Sequence, residues 1–254
     1  MCELLALHFN KPVHPDFSFR GFRHRGSRNP HGWGLAWFDD STDWQVVKRT
    51  CAANQSRVAA SLLKHCPGPS RTFLGHVRLA SQGRVSVKNT HPFIQPFGLG
   101  HVALIHNGTL SGLPATKRQP LGETDSEHLL CLLLDRLEDV GATFEDYDQV
   151  EAALQDLNQY GTLNAVLSDG SFLYAYRDKN GYNGLYQTVR VPPFTQTRLL
   201  DEELCLDLAK VKEPGTFGFV LATRPLTNEK WEPLRKGKIS QFVTSINILK
   251  IENK

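Results

Sequence analysis

The chain opens with Met1-Cys2-Glu3-Leu4-Leu5-Ala6-Leu7, in which a small residue follows the initial methionine. Because methionine is usually trimmed before a small side chain, the mature chain is expected to begin at Cys2. That residue would carry an α-amine, for which the usual pKa is about 7.7–8.0, beside a thiol, for which it is about 8.5. The amine can then accept the thiol proton near neutral pH, which gives a nucleophile with its own base. The apolar run predicts a buried strand over residues 2–9 that holds this nucleophile.

The composition predicts a globular protein with a full core, because 40% of the 254 residues are hydrophobic and 22% are charged. The formal net charge of +3 is too small to indicate nucleic acid binding. No apolar run approaches the roughly 18 residues that span a membrane, and the N-terminus has no signal-peptide pattern. We therefore expect a cytoplasmic protein that binds neither nucleic acid nor membrane.

The cysteines are widely separated, odd in number and without a C-x-x-C pair: Cys2, Cys51, Cys66, Cys131 and Cys205. This pattern favours reduced thiols over a disulfide framework or a structural zinc site. Four histidines, at positions 76, 91, 101 and 106, match no short metal-ligand motif. Neither a phosphate-binding P-loop nor a dinucleotide-binding glycine motif is present. We therefore predict no metal and no cofactor.

Strand patterns and helix patterns alternate without regular βαβ units, which predicts an α+β fold with antiparallel sheets. After the first strand, the patterns predict a loop at 10–17, strands at 35–39, 44–49, 71–79, 100–106, 164–167, 172–177, 184–189, 217–223 and 239–242, and helices at 18–24, 56–65, 125–141 and 147–160. Thr124 and Glu127 form a predicted capping box before the third of these helices. No linker divides the chain, so we expect a single domain over residues 1–254.

Four further stretches follow Cys2 in a fixed order: His76-Val77-Arg78-Leu79-Ala80-Ser81, Asn89-Thr90-His91-Pro92, His106-Asn107-Gly108 and Thr124-Asp125-Ser126-Glu127. In this register the chain resembles the glutaminase domain of the class II (Ntn-type) glutamine amidotransferases, and most of all their stand-alone YafJ-like group. The resemblance implies a four-layer αββα sandwich of two antiparallel sheets between helical layers. It also implies hydrolysis of the glutamine side-chain amide through a γ-glutamyl thioester, which gives glutamate and ammonia.

The resemblance assigns catalytic roles to three residues. Cys2 would be the nucleophile, with its α-amine as base. Asn107 and Gly108 would form the oxyanion hole, with one donor from a side-chain amide and one from a backbone N–H just after a strand. Taken without the resemblance, Asn-Gly is more often a turn.

The resemblance places the amino-acid end of the substrate on Arg78, Ser81 and Asp125. A guanidinium can bind the α-carboxylate through two parallel hydrogen bonds, with a hydroxyl as a further donor. A carboxylate can accept from the substrate ammonium. By residue type alone, Arg78 could equally be a charge at a strand end, and Asp125 an acid favoured by the dipole of its helix.

Five residues are predicted to support the site: Arg25, Gly32, Trp33, His91 and His106. Arg25 and the glycine loop that includes Gly32 are expected to cover the nucleophile. Trp33 either lines the pocket or packs in the core. His106 is expected to order its loop rather than move protons, and His91 either shapes the site or packs in a loop.

Two departures from the larger family members limit what the resemblance implies. Those members often carry Trp directly after the arginine and His four residues after it, where this chain has Leu79 and Gln82. The chain is also expected to end without a domain that consumes ammonia. The substrate is therefore glutamine or another γ-glutamyl small molecule, as in related members that act in glutathione breakdown and ergothioneine synthesis. A separate ammonia-accepting protein is a possible partner, and a catalytically quiet glutamine sensor is the alternative function.

Overall fold

The computed structural model describes residues 1–64 and 68–244, and two antiparallel β-sheets form its centre. The strands are β1 (Glu3–Val13), β2 (Trp33–Asp39), β3 (Asp43–Arg49), β4 (Ser70–Val77), β5 (Phe93–Phe97), β6 (Gly100–Leu110), β7 (Gly161–Ser168), β8 (Leu173–Tyr176), β9 (Tyr186–Arg190), β10 (Gln196–Arg198), β11 (Cys205–Asp207), β12 (Gly218–Ala222), β13 (Glu232–Pro233) and β14 (Ile239–Phe242). The α-helices are α1 (Asp16–Arg23), α2 (Arg57–Leu62), α3 (Asp125–Asp139), α4 (Tyr147–Leu157) and α5 (Leu208–Val211).

The first sheet has the strand order β13-β9-β12-β1-β4-β2-β3, which places β1 between β12 and β4. The second sheet has the order β14-β8-β7-β6-β5. Neighbouring strands in both sheets pair antiparallel. The N-terminal stretch is therefore a central strand paired on both edges, and Cys2 directly precedes it.

Alternation along β1 builds two of the three apolar layers. Leu4 and Ala6 lie in the layer between the two sheets, together with Ile105 of β6. Leu5 faces the opposite side, where it packs with Phe22 of α1. Successive strand residues point to opposite faces, so an apolar run buries both faces. Burying each leucine stabilises the fold by about 1.5–3 kcal/mol.

The third layer lies between the second sheet and helices α3 and α4. Leu130 and Leu133 of α3 and Leu154 of α4 are fully buried there against Leu104 of β6. The layers thus run helix, sheet, sheet, helix, which confirms the predicted αββα sandwich. Within residues 1–64 and 68–244, no helix has the length and hydropathy needed to cross a membrane.

The predicted loop over residues 10–17 is wrong in its first part, because β1 continues to Val13. Asn10 keeps the strand in the sheet: its N–H donates to the Phe217 carbonyl at 3.0 Å, and its Oδ1 accepts the Phe217 N–H at 2.8 Å. Pairing with β4 is irregular in this stretch. Pro12 lies inside the irregular stretch, where a missing N–H costs no ladder bond.

The patterns did not predict β5, in which Pro96 argues against a strand. Because β5 is an edge strand of the second sheet, the missing N–H of Pro96 is tolerated. The elements β10, β11, β13 and α5 were also not predicted, and each has only two to four residues.

The helix predicted over residues 56–65 is confirmed for α2, and the Ser56 hydroxyl caps it by accepting the Ala59 N–H at 3.2 Å. The predicted last residue, His65, lies outside the described residues, as does Cys66. The next long helices are confirmed as α3 and α4, and a single turn of 3-10 helix, Asn158–Tyr160, follows α4.

The capping box of α3 is confirmed in one half only. The Thr124 hydroxyl accepts the Glu127 N–H at 3.3 Å, as predicted. The Glu127 carboxylate does not return to the cap residue; it accepts the Gly122 N–H at 2.6 Å. Glu127 therefore ties the loop before the helix to the first helical turn.

Candidate active site

Cys2 lies half-buried at the start of β1, against the backbone of Leu79. Its Sγ accepts the Leu79 N–H at 3.2 Å and donates to the Leu79 carbonyl at 3.3 Å. Burial raises the pKa of the thiol, and the Leu79 N–H and the charge of Arg78 oppose that shift. The base expected from the sequence, the Cys2 α-amine, is here in a peptide bond to Met1.

Asn107 and Gly108 lie inside β6. The turn that an Asn-Gly pair usually forms is therefore absent at this pair, and the predicted position just after a strand is wrong. Asn107 is buried, and its Nδ2 donates to the Cys2 carbonyl at 2.6 Å. A primary amide has two N–H donors, which leaves one for another acceptor. A Cβ at Gly108 would clash with the Thr162 carbonyl of β7, so the two strands approach too closely for any side chain there.

Arg78 follows β4 and is only 3% exposed, so it is not a surface charge. Its backbone N–H donates to the Gly32 carbonyl at 2.8 Å. Its guanidinium donates to the carbonyls of Gln82 at 2.8 Å, Gly83 at 3.3 Å and Arg84 at 3.1 Å. The side chain thus organises the loop that follows it. Burial lowers the pKa of Arg78, and the negative charges of Cys2 and Asp125 oppose that shift.

Asp125 is the first residue of α3, and its Oδ2 accepts the Leu110 N–H at 2.8 Å. The carboxylate therefore joins the end of β6 to the start of the helix, in addition to its favourable place in the helix dipole. A cavity of about 500 Å³ lies beside it, with Gln82 and His128 also in the lining. Ser81 is exposed, and its hydroxyl makes no hydrogen bond to residues within the described ranges, so its binding role stays a prediction.

His106 joins β6 to two neighbouring elements. Its Nε2 lies 3.3 Å from the Thr162 carbonyl of β7 and its Nδ1 lies 2.9 Å from the Ser126 hydroxyl of α3. The carbonyl can only accept, so Nε2 carries the proton and Nδ1 accepts from the hydroxyl. Burial lowers the pKa of His106, and the Asp125 carboxylate opposes the shift. His106 thus joins β6 to β7 and α3 from within a strand rather than a loop, and its ordering role at the site stays a prediction.

His91 stacks on His76 with ring centroids 4.1 Å apart, and none of their four ring nitrogens has a hydrogen-bond partner among the described residues. Burial lowers the pKa of His76 to about 3 and that of His91 well below its usual range. Both rings are therefore neutral and packed. His101 lies elsewhere on β6, where it pairs with Asp43 at 2.7 Å. Across the described positions, no group of three His, Cys, Asp or Glu side chains is placed to hold a metal ion.

Arg25 is buried and contacts Glu3, the residue after Cys2. Its guanidinium donates to the Glu3 carboxylate at 2.7 Å, to Asp201 at 3.0 Å and to the Pro225 carbonyl at 2.6 Å. A buried ion pair of this kind is tolerated because hydrogen bonds to its charges offset the loss of their hydration. Arg25 therefore ties the residue after Cys2 to the backbone at Pro225.

Gly32 and Trp33 both pack closely against neighbouring parts of the fold. Gly32 has φ of 145°, and a Cβ there would approach the Arg49 carbonyl and the Thr90 hydroxyl to 3.0 Å. Trp33 begins β2 instead of lying in the glycine loop, and it is fully buried with its ring 5.9 Å from that of Phe19. Core packing is therefore the role that the structure shows for Trp33.

Three residues that the sequence patterns did not predict also lie at the site. Asn164 is directly opposite Asn107 in the β6–β7 ladder, and its Nδ2 donates to the Tyr182 carbonyl at 2.6 Å. The Thr223 hydroxyl accepts the Leu4 N–H at 2.8 Å and so fixes the start of β1. An asparagine inside the otherwise apolar run 163–167 is the signal that could have indicated Asn164. No comparable signal marks Tyr182, which lies in a polar loop.

Comparison with known proteins finds similarity over nearly the whole chain. A model of the class II glutamine amidotransferase family matches residues 1–252. The uncharacterized protein MJ1515 of Methanocaldococcus jannaschii is 38% identical over 95% of this chain and 69% of that protein. YafJ of Escherichia coli (strain K12) is 32% identical over 95% of this chain and 97% of YafJ. The crystal structure of a predicted glutamine amidotransferase from Pseudomonas aeruginosa PA01 has a TM-score of 0.71 at 24% identity, and covers 95% of this chain and 97% of its own.

Proposed function

Because this chain belongs to the class II glutamine amidotransferases, a family of enzymes, we propose that it hydrolyses the side-chain amide of glutamine or a related γ-glutamyl amide. The reaction passes through a γ-glutamyl thioester on Cys2. The observation that carries the proposal is the 2.6 Å contact between the Asn107 amide and the Cys2 carbonyl, which puts a hydrogen-bond donor next to the candidate nucleophile.

The acylation step starts after Met1 is removed and the Cys2 α-amine becomes free. The amine takes the thiol proton, and Sγ attacks the side-chain carbonyl carbon of the substrate. The negative charge that develops on the carbonyl oxygen is stabilised by the second Asn107 N–H and by the Gly108 N–H. The C–N bond then breaks, and the leaving nitrogen takes the proton from the α-ammonium. Water hydrolyses the thioester by the same steps.

Arg78 and Asp125 bind the amino-acid end of the substrate in this proposal. Three of the five guanidinium N–H groups of Arg78 are used by backbone carbonyls, which leaves the Nε–H and one Nη1–H as single donors toward the substrate α-carboxylate. Asp125, which lines the 500 Å³ cavity, accepts from the substrate ammonium, and the Ser81 hydroxyl is a further donor. Opposite charges in a partly buried site hold the two ends of one small zwitterion.

The hydrolysis releases ammonia or an amine, and a separate acceptor protein is its proposed recipient. The YafJ-like relatives span a similar length, since the matched region covers 97% of YafJ.

Glutamate release by the wild type and two alanine variants tests the proposal. Cys2→Ala removes the nucleophile and should lower turnover of glutamine or a γ-glutamyl amide by about 10⁴-fold or more, while the substrate still binds. Cys51→Ala changes an exposed cysteine and is the matched control. Wild-type turnover in the Cys2→Ala variant would contradict the proposal. Tight binding of glutamine by a wild type that never releases glutamate would indicate a sensor instead.

A further inference from the structure

Two opposed asparagines place Cys2 and Tyr182 side by side. Asn107 of β6 and Asn164 of β7 are cross-strand partners, and such partners project from the same face of a sheet with Cβ atoms about 4.5–5.5 Å apart. The Asn107 amide donates to the Cys2 carbonyl, and the Asn164 amide donates to the Tyr182 carbonyl, each at 2.6 Å. The ladder therefore holds the two backbone segments next to each other.

The loop that carries Tyr182 is fixed by the fully buried carboxylate of Asp178. That carboxylate accepts the N–H groups of Leu163 at 2.9 Å, Asn180 at 2.9 Å and Tyr182 at 3.0 Å. The residues on either side of Tyr182 have left-handed backbones, with φ of 76° at Gly181 and 51° at Asn183. These bonds and turns fix the backbone on both sides of Tyr182.

The loop with Tyr182 lies on the β12 side of β1, whereas Arg78 lies on the β4 side. A Cβ at Gly184 would be 2.6 Å from the Thr223 carbonyl, so the loop packs directly on the end of β12. Thr223 bonds Leu4 through both its backbone N–H and its hydroxyl. In the first sheet β1 has β12 on one side and β4 on the other. Tyr182 and Arg78 therefore flank the nucleophile from opposite sides.

The Tyr182 side chain is half-buried, and its hydroxyl has no hydrogen-bond partner within the part of the chain that the structure describes. Burial raises the pKa of this phenol, and the nearby charge of an ionised Cys2 raises it further. The hydroxyl is thus neutral, and the side chain lies close enough to Cys2 for the charge of an ionised thiol to act on it.

We propose that Tyr182 forms the leaving-group side of the site and selects γ-glutamyl amides whose nitrogen carries an apolar or aromatic substituent. This inference rests on the proposed hydrolysis. With the amino-acid end bound by Arg78 and Asp125, the leaving amine projects to the opposite side of Cys2. The C–S bond forms, the C–N bond breaks, and the nitrogen takes its proton from the α-ammonium. Tyr182 contacts the substituent on that nitrogen and exchanges no proton.

The test compares two substrates that share a γ-glutamyl end: glutamine, which releases ammonia, and γ-glutamylanilide, which releases aniline. In Tyr182→Ala, kcat/KM for the anilide should fall about 10-fold or more relative to that for glutamine, as expected for the loss of one apolar contact. Tyr182→Phe keeps the ring and should keep the wild-type ratio. Tyr182→Leu is the second truncation if the alanine variant does not fold, and Tyr160→Phe is a control outside the site.

Inactivation by 6-diazo-5-oxo-L-norleucine, which has the glutamyl end but no leaving amine, distinguishes selection of the leaving amine by Tyr182 from a structural role of that residue. Its rate should be the same in Tyr182→Ala and the wild type. Equal losses on both substrates, or slowed inactivation, would overturn the assignment of Tyr182. A wild type that hydrolyses neither substrate would instead overturn the proposed function, and this inference with it.

Discussion

Arg78 is the residue whose surroundings bear most directly on substrate binding. Its guanidinium is buried, bonds three successive backbone carbonyls, and lies within electrostatic range of both Cys2 and Asp125. One side chain therefore shapes the loop that follows β4 and, in the proposed function, also supplies the positive charge for the substrate carboxylate. The planar fork of a guanidinium can do both at once, whereas the single nitrogen of a lysine cannot.

Arg78→Lys should raise KM for glutamine at least about 10-fold with a smaller change in kcat, because hydrogen bonds to charged groups are worth about 1.5–3 kcal/mol. Steady-state kinetics measure the split between KM and kcat. Arg84→Lys, an exposed change on the same loop, is the matched control and should leave both constants near wild type. An unchanged KM in Arg78→Lys would remove Arg78 from the carboxylate role.

At the scale of single residues, the sequence could predict which residues to assign to the candidate site, but not what each of them contacts. Cys2, Arg78, Asn107 and Asp125 were found because they stand in a recognisable order. The bond from Asn107 to the Cys2 carbonyl, and the carbonyls held by Arg78, depend on chain segments far apart in sequence. Such contacts follow from the sheet register and not from any local pattern.

The element that positions the site is β6, which carries His106, Asn107 and Gly108. The His106 ring bonds β7 on one side and the first turn of α3 on the other, so the strand, its neighbour and the helix form one unit. The close approach of β6 and β7 at Gly108 belongs to the same unit. Ladder pairing overrides the turn preference of an Asn-Gly pair here.

Gly108→Ala should destabilise the protein by about 1–3 kcal/mol, because the new Cβ must push the Thr162 carbonyl away and the strands apart. Gly100→Ala is a matched control in the same strand, where the nearest atom to the Cβ is 4.0 Å away. Urea unfolding midpoints measure both variants. Equal midpoints would contradict the close packing of β6 on β7.

Short strands next to polar turns were predicted well, as β14 and the β2–β3 hairpin show. Strands that contain proline were not predicted, because proline counts against a strand in the local sequence pattern even where the sheet tolerates it. In β5 the tolerance comes from an edge position, and near Pro12 it comes from an irregular pairing. Whether a strand lies at an edge is decided by its partners, which the local pattern does not contain.

For the whole molecule, the periodicities alone predict an α+β protein with antiparallel sheets, and the resemblance supplies the four layers. The structure also shows where these layers place the candidate site. Cys2 lies at the start of the central strand of one sheet, and Asn107 of the facing sheet donates to its carbonyl. Face-to-face packing of the two sheets thus places the candidate nucleophile on one sheet and a hydrogen-bond donor beside it on the other. The loop with Tyr182 connects β8 of one sheet to β9 of the other, so its position depends on the same packing and not on a local sequence pattern.

The central claim, that Cys2 is a processed nucleophile in a site for the glutamyl group, is tested most directly by intact mass before and after treatment with 6-diazo-5-oxo-L-norleucine. The preparation used should be one that hydrolyses the substrate. The account predicts loss of Met1 and a single covalent adduct, which peptide mapping places on Cys2. An active preparation that retains Met1, or a processed chain that stays unlabelled at Cys2 after prolonged exposure, would contradict it.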